Sequence, residues 1–377
     1  MLGRTGLKVS QLGFGAMRLP MTGEGEGARV NRELSTPMIH RAFEMGVNYI
    51  DTAVGYCNSD SQRAVGEAVN AWIRQSGAGL GRKRSDIVVS TKNHYYEEDE
   101  SAWWKNLTDS LERLGLDYID IYNTHGVNWE KYSKCVEPRI GKWLNRAKDQ
   151  GLIRHICTSF HDNAEALRKL VDTDRYESFT IQYNLLDRQL EEAIGYAHEK
   201  GKGIVVMGPV AGGRLGVQSE VLMKMLPGAG VEKVPELALR FVLSNPNVTV
   251  ALSGMGTMAM VDENAAIAAD PVSLSDEQRR AIDSHLTRLK SMADLYCTGC
   301  QYCMPCDVKV NVAGIFANYN LGRVYGLWDV AKARYADIVR NNQGADNCVQ
   351  CYHCLEKCPQ HLDIPRQLAE AHAAMRG

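Results

Sequence analysis

The chain has 377 residues, 45% of them hydrophobic, and its 43 Lys and Arg residues nearly balance 45 Asp and Glu residues, for a formal net charge of −2. This length favours two domains with a sizeable core, and the lack of any basic stripe argues against a nucleic-acid partner. No run approaches the ~18 apolar residues of a membrane span, and no apolar segment of signal-peptide length opens the chain. We therefore expect a cytoplasmic protein without a membrane partner.

Strand and helix patterns alternate along most of the chain. Short runs rich in β-branched and aromatic residues predict eight strands, at residues 11–17, 47–50, 87–91, 118–122, 155–158, 179–182, 204–207 and 248–252. Amphipathic segments predict a helix after each, at residues 37–45, 62–74, 102–114, 139–150, 164–171, 189–200, 236–243 and 262–269. Eight such units close a parallel barrel. With one more helix at residues 276–292, the sequence predicts an α/β fold, a (β/α)8 TIM barrel over residues 1–292.

Four residues with complementary chemistry lie at three successive strand ends. Asp51 ends the second predicted strand and Tyr56 lies in the loop after it, while Lys92 and His125 end the third and fourth. The carboxyl ends of barrel strands face the catalytic mouth, so these side chains should meet there. Hydride transfer to a carbonyl needs a proton at the developing alkoxide, and a tyrosine can supply it if a neighbouring ammonium lowers its pKa. The alternative is an isolated Tyr, a surface Lys and a core His.

Other residues near these strand ends are candidates for the substrate pocket. His94 and His161 lie just past strand ends, where a substrate contact is one interpretation and a surface position is the other. Tyr95, Tyr96 and Trp129 are loop residues that we expect to help close the mouth. Aromatic walls suit stacked sugar rings or flat apolar substrates equally well.

Several segments, in order, resemble the aldo-keto reductase family: GRTGLKVSQLGFGAMRLP, IDTAVGY, STK, YNTHG, IQYN, MGPVAGGRL and SGMGTMAMVDEN. The resemblance covers roughly residues 1–292 and implies an aldo-keto reductase-type barrel that interconverts a carbonyl (aldehyde, ketone or sugar) and an alcohol. It also implies the catalytic tetrad, with Tyr56 as acid–base, Lys92 and Asp51 tuning it, and His125 orienting the carbonyl oxygen.

The nicotinamide cofactor is expected at the later strand ends. Backbone amides of the Gly-rich residues 208–215 can approach a pyrophosphate, and residues 253–257 with the following helix would hold the adenosine end. The cofactor-binding candidates, some implied only by the resemblance, are Ser159, Gln182, Met207, Gly208, Gly212, Arg214, Leu215, Ser253, Gly254, Met255, Glu263 and Asn264. The family's cationic residues that bind the 2′-phosphate of NADP are missing, because Gly254 and Met260 stand at those positions. Either NAD or NADP could therefore be the cofactor.

Eight of the 11 cysteines fall in two runs after residue 296. Cys348, Cys351, Cys354 and Cys358, followed by proline, have the C-x2-C-x2-C-x3-C-P spacing of bacterial ferredoxins. Cys297, Cys300, Cys303 and Cys306 form a second run with a shorter last spacing. Such runs exchange their fourth cysteines, so we expect one 4Fe-4S cluster on Cys297, Cys300, Cys303 and Cys358, and another on Cys348, Cys351, Cys354 and Cys306. Zinc, or a single cluster, is the alternative.

The sequence thus predicts a small, mostly helical, ferredoxin-like iron–sulfur domain over residues 293–377. In the family the segment after the last helix folds over the barrel mouth, so we expect this domain near the mouth. Nicotinamide passes two electrons as hydride whereas a cluster passes one, and no flavin motif is visible. Either the clusters are structural, or a ferredoxin or flavoprotein partner accepts the electrons. The alternatives to a carbonyl reductase are such an electron-transfer oxidoreductase and a non-catalytic redox- or cofactor-sensing barrel protein.

Overall fold

A computed structural model describes residues 1–75, 82–224, 231–270, 274–294, 303–358 and 362–376. These residues divide into two compact units, one formed by Met1–Gly212 with Ala238–Ser273 and the other by Gly213–Leu237 with Leu274–Gly377. The domain boundary predicted after residue 292 stays a prediction. Among the described residues, no helix has the length and apolar character needed to cross a bilayer.

Eight parallel strands of the described chain close a barrel, in the order in which they follow one another in the sequence. They are β1 (Leu12–Gly15), β4 (Tyr49–Asp51), β5 (Val88–Asn93), β6 (Ile119–Val127), β7 (Ile153–Phe160), β8 (Ser178–Gln182), β9 (Gly203–Met207) and β10 (Val250–Ser253). The predicted fold class is therefore confirmed. The strands β2 (Met21–Thr22) and β3 (Arg29–Val30) pair antiparallel outside the barrel. The sequence did not predict β2 and β3, because a strand of two residues is too short to show an alternation of apolar and polar side chains.

The barrel unit carries these helices: α1 (Arg32–Glu44), α2 (Ser61–Arg74), α3 (Glu100–Leu114), α4 (Trp129–Lys131), α5 (Gly141–Asp149), α6 (Ala164–Asp172), α7 (Glu191–Glu199) and α10 (Met258–Ala269). Helix α4 was not predicted, α10 begins four residues before its predicted start, and α1 and α5 also differ from the prediction. Helix α1 starts five residues before Pro37, because the Asn31 side chain accepts a hydrogen bond from the Leu34 amide and caps the helix there. A π-helical segment, Tyr132–Ile140, precedes α5. Helix α9 (Val234–Leu243) runs from the second unit into the barrel unit.

An apolar cluster lies among the strands of the barrel. Tyr49, Val88, Val205 and Val250 are buried there and pack together with Leu2 from the N-terminal segment. Each of the valine and leucine side chains contributes about 1.5–3 kcal/mol on burial. The functional candidates follow at the carboxyl ends of the same strands, so the cluster gives them a rigid base.

The second unit contains α8 (Glu220–Met223), α11 (Asp276–Asp294), α12 (Val312–Tyr325), α13 (Trp328–Arg340), α14 (His353–Lys357) and α15 (Ile364–Met375). Trp328 packs so closely on α12 that a Cβ at Gly322 would lie 2.3 Å from its ring. The buried Tyr335 hydroxyl accepts a 3.2 Å hydrogen bond from the Ala345 amide and also contacts His372 Nδ1. Trp328 and Tyr335 therefore both pack against other residues of the second unit.

Candidate active site and cluster site

Lys92 and Asp51 form a buried ion pair at the ends of β5 and β4. The Lys92 side chain is 2% exposed, and its ammonium also donates to the Thr52 carbonyl at 2.9 Å. The Ser90 hydroxyl donates to the other Asp51 carboxylate oxygen at 2.8 Å. Although burial alone would lower the pKa of Lys92, its partners, Asp51 above all, raise it. A fixed ammonium is therefore held at the mouth of the barrel.

Tyr56 and His125 lie beside this ion pair. The Lys92 ammonium is 4.7 Å from the centroid of the Tyr56 ring, and the His125 ring packs edge-on to that ring with centroids 6.2 Å apart. The structure thus brings all four tetrad candidates together. Asp51, Lys92 and His125 lie near the ends of three strands and Tyr56 lies in a loop, as predicted from the sequence.

The pKa directions decide which protonation states the site favours. Burial raises the pKa of Tyr56 and outweighs the lowering by the Lys92 ammonium. The net direction is thus opposite to the lowering expected from the sequence, because that argument left out burial. The pKa of His125 is lowered to about 4, first by burial and then by the positive charges of Lys92 and other basic neighbours. At neutral pH the site therefore holds a protonated tyrosine and a neutral histidine.

The loop that carries Tyr56 is anchored at its far end. The buried Asp60 carboxylate accepts hydrogen bonds from the Val30 amide at 2.8 Å and from Arg32 at 2.9 Å. The Arg32 hydrogen bonds hold the pKa of Asp60 below its usual value. Between Tyr56 and Asp60, three non-glycine residues adopt positive φ, a costly conformation that the anchors must maintain: Cys57, Asn58 and Ser59.

Gln182, Met207 and Ser159 end neighbouring strands, as predicted for the nicotinamide side of the cofactor site. The Ser159 hydroxyl accepts a 2.7 Å hydrogen bond from the Gly126 amide. Gly208 has φ of +68°, and a Cβ there would lie 2.8 Å from the Gln182 amide nitrogen. Only glycine leaves the Gln182 side chain in place at this position.

The end of β10 and the start of α10 carry the adenosine-side candidates. The Asn264 side chain donates to the buried Ser253 hydroxyl at 3.0 Å, and Met255 is fully buried. Glu263 precedes Asn264 on α10, and Gly212 ends the barrel unit before β10. Arg214 and Leu215 follow in the chain but belong to the second unit.

Arg18 also lies among these residues, although it was not predicted as a site residue. Its guanidinium donates to the Gly212 carbonyl at 3.0 Å, and its Cβ and Cδ lie 3.6 Å from the point where a Cβ at Gly254 would be. It makes no ion pair with any residue that the structure describes. An unpaired cation thus lies beside two glycines of the predicted cofactor site. The sequence carries no local signal for it, because Gly212 is 194 positions away.

In the second unit, all four predicted ligands of one cluster line a single cavity: Cys306, Cys348, Cys351 and Cys354. Burial raises the pKa of the Cys354 thiol, and the neighbouring thiols of Cys306, Cys348 and Cys351 raise it further. Gln350 and Tyr352 have positive φ, so the backbone wraps tightly between the cysteines. No three His, Cys, Asp or Glu residues of the described chain converge as a single metal ion would require, and the four thiols are instead distributed around the cavity.

The other predicted set is described only in part. Cys303 also lines the cavity, and Cys358 is buried. Cys297 and Cys300 lie outside the described residues.

A closed parallel barrel with Tyr56, Lys92, Asp51 and His125 together at its mouth defines a TIM-barrel oxidoreductase. The chain belongs to the aldo/keto reductase family, whose model matches residues 11–287, and the model of a 4Fe-4S dicluster domain matches residues 296–362. The resemblance found in the sequence is thus confirmed for both parts.

Individual relatives support this assignment. L-galactose dehydrogenase of Arabidopsis thaliana is 30% identical over 305 residues, covering 74% of this chain and 90% of that protein. NADH-specific methylglyoxal reductase of Escherichia coli is 27% identical, covering 73% and 94%. The holo form of the aldo-keto reductase AKR11C1 from Bacillus halodurans has a TM-score of 0.60 at 27% identity, covering 76% and 95%.

Proposed function

We propose that this protein interconverts a carbonyl compound and an alcohol with NAD(H) or NADP(H). One observation carries the proposal: a buried Lys92–Asp51 ion pair is held against Tyr56, with His125 packed edge-on to the tyrosine ring. Family membership supports it, as do the relatives named L-galactose dehydrogenase and NADH-specific methylglyoxal reductase.

The chain's own residues supply the proton chemistry. When bound, the nicotinamide supplies or accepts the hydride. Tyr56 donates its hydroxyl proton to the carbonyl oxygen in reduction and takes it back in oxidation. The Lys92 ammonium stabilises the tyrosinate that this leaves, and Asp51 keeps Lys92 charged and in position. Neutral His125 donates a hydrogen bond that orients the oxygen.

The donor set fits a dinucleotide. Gln182 and Ser159 offer an amide and a hydroxyl at the ends of β8 and β7, which suits a carboxamide-bearing ring. Gly212 and Gly254 carry no side chain next to Arg18, which adds the cation that a phosphate requires. We propose that Arg18 contacts the pyrophosphate. The relative described as NADH-specific supports testing NADH alongside NADPH.

We further propose that Cys306, Cys348, Cys351 and Cys354 hold one 4Fe-4S cluster, and Cys297, Cys300, Cys303 and Cys358 a second. The thiols that line one cavity, and the positive-φ residues between them, support the first set. Such clusters would stabilise the second unit by linking its two cysteine runs. In the electron-transfer alternative, a ferredoxin or flavoprotein partner would receive electrons from them.

Replacement of Tyr56 by Phe tests the carbonyl reductase proposal. Tyr56→Phe should lower kcat at least a hundredfold while leaving the Kd of NADH or NADPH within about twofold, because only the transferable proton is lost. Tyr118→Phe, at the start of the strand region near Arg84 and Arg154, is the matched control. Retained activity in Tyr56→Phe would refute the assigned role.

Anaerobic purification with iron and sulfide analysis tests the cluster proposal. About eight irons per chain would support two clusters, and zinc in their place would refute the proposal. The same sample decides between structural and electron-transfer roles. Reduction of the clusters by NADH alone would favour the electron-transfer alternative, whereas an unchanged spectrum favours the structural role.

A further inference from the structure

Basic side chains, beyond the tetrad, gather around His125 at the ends of three neighbouring strands. His94 follows the end of β5, His161 follows the end of β7, and Lys131 lies on α4, shortly after β6. We call His94, His161 and Lys131 the basic rim. His94 and His161 are exposed and Lys131 is half-buried, so the rim can be reached from solvent.

Two members of the rim, Lys131 and His161, lie beside Gly126, the residue after His125. The Lys131 ammonium donates to the Gly126 carbonyl at 3.0 Å. A Cβ at Gly126 would lie 3.9 Å from that ammonium and 3.8 Å from Cδ2 of the His161 ring. Gly126 has φ of +70° and carries no side chain, so the space between the two basic groups stays open. Lys131 also lies over the Tyr96 ring, 5.1 Å from its centroid.

The carboxylates near the rim are hydrogen-bonded or paired with other groups. The Lys131 ammonium forms no ion pair with a residue in the described part of the chain. Asp162, beside His161, accepts hydrogen bonds from the backbone amides of Trp129 and Asn163, and Glu130 pairs with Lys134 at 2.6 Å. Asp51 is already paired with Lys92.

The electrostatic influence on His125 agrees with this geometry. After burial, the groups that lower the pKa of His125 are all basic: Lys92, His94, His161 and Lys131. Lys131 also adds to the effect of burial in lowering the pKa of His161. Lys131 therefore supplies the positive charge of the rim, with the His161 ring beside it as a further hydrogen-bond donor, and such a charge attracts an anion.

We propose that the substrate of this site carries an anionic group, a carboxylate or phosphate, which Lys131 and His161 bind while its carbonyl faces Tyr56 and His125. This inference rests on the proposed carbonyl reductase function. In reduction, the carbonyl carbon receives hydride from the reduced nicotinamide, and the carbonyl oxygen takes the Tyr56 proton. The products are an alcohol with its anionic group intact and the oxidised nicotinamide. The substrate class is thus acidic aldehydes and ketones, such as keto acids, semialdehydes and sugar phosphates or acids.

The experiment compares carbonyl compounds of similar size that differ in charge. The value of kcat/KM is measured for 4-carboxybenzaldehyde and 4-methylbenzaldehyde, and for glyceraldehyde 3-phosphate and glyceraldehyde. The full-length protein, its Lys131→Gln and His161→Gln variants, and the control Lys134→Gln are compared. Lys134 is an exposed lysine in the next helical turn.

We expect the wild type to favour at least one anionic compound at least tenfold, through a lower KM and with a loss of preference at high salt. Lys131→Gln should reduce that preference at least fivefold, and Lys134→Gln should not. A preference within the benzaldehyde pair would identify carboxylate as the recognised group. A preference within the glyceraldehyde pair would identify phosphate. Equal use of charged and uncharged compounds by the wild type, or a preference that survives both rim variants, would overturn the inference.

A binding measurement separates this inference from the proposed function. If no carbonyl compound turns over, the proposed function fails, and calorimetric titration with 4-methylbenzoate and inorganic phosphate still tests the rim. Binding that weakens in Lys131→Gln and not in Lys134→Gln would support an anion site. No binding of either anion would overturn it.

Discussion

The guanidinium of Arg18 donates a 3.0 Å hydrogen bond to the carbonyl oxygen of Gly212, linking the segment after β1 to the loop after β9. The stem of the same side chain lies over Gly254, after β10. One exposed arginine thus contacts two of the loops that we propose for cofactor binding. The family's phosphate-binding cations are absent from positions 254 and 260, and Arg18 places a cation in the same region.

Arg18→Ala should therefore weaken cofactor binding. We expect the Kd of both NADH and NADPH to rise about tenfold, because a charged hydrogen bond to phosphate contributes about 1.5–3 kcal/mol. Titration calorimetry measures this, and Arg29→Ala is the control, since Arg29 hydrogen-bonds only to carbonyl groups of its own hairpin region. A loss confined to NADPH would move the Arg18 contact to the 2′-phosphate. Unchanged affinity for both cofactors would contradict the assignment.

The pH dependence should differ between the two directions of the reaction. Reduction needs protonated Tyr56, whose pKa is raised by burial, and neutral His125, whose pKa is about 4. A raised pKa keeps the proton to higher pH, so kcat for reduction should be constant from about pH 5 to about pH 10. Oxidation needs the deprotonated tyrosine, so its kcat should rise throughout that range. If the kcat for reduction instead falls between about pH 7 and about pH 8, a group other than Tyr56 donates the proton.

Lys92→Met should destabilise the barrel unit, because it leaves the Asp51 carboxylate buried without its partner. Loss of one partner of a buried ion pair costs about 3–5 kcal/mol. The double variant Lys92→Met/Asp51→Asn should recover most of this stability without recovering activity. Urea unfolding followed by circular dichroism gives the comparison. The control Lys105→Met breaks an exposed pair with Asp109, worth about 0.3–0.5 kcal/mol. If Lys92→Met and Lys105→Met lower the free energy of unfolding equally, the buried ion pair contributes no more to stability than the exposed one.

Cys306→Ser should remove one cluster and keep the other. We expect the iron content to fall from about eight to about four per chain, because each 4Fe-4S cluster depends on four thiolates. Cys135→Ser, outside both cysteine runs, should leave the iron content unchanged. Full iron content in Cys306→Ser would show that Cys306 is not needed for either cluster, and that the cavity it lines serves another purpose.

Local patterns in the sequence were sufficient to predict the barrel and the meeting of the tetrad. Asp51, Lys92 and His125 each end a strand, and strand ends in a parallel barrel share one face. His94 and His161 were candidates for the same reason. Lys131 was not, because it lies on a single-turn helix and its importance comes from its position beside Gly126.

Contacts between distant residues could not be predicted in this way. Arg18 meets Gly212 only after the barrel has closed, and the pKa of Tyr56 depends on burial that no motif records. Helices α12 and α15 also escaped prediction. Helix α12 buries residues around much of its circumference, including Val312, Phe316 and Asn318, so its sequence shows little of the periodicity on which such predictions depend.

The hydroxyl of Ser219 donates a 2.6 Å hydrogen bond to the Tyr325 carbonyl, and a Cβ at Gly326 would lie 3.3 Å from a methyl carbon of Val221. Residues 213–237 lie between β9 and the part of α9 that belongs to the barrel unit. They thus fold with the C-terminal residues. A gene shortened after codon 292 would encode this insertion without Tyr325 and Gly326. The C-terminal residues therefore pack against a segment that precedes the last barrel strand in the chain. A lineage that gained or lost these residues would have had to change the segment between β9 and β10 at the same time.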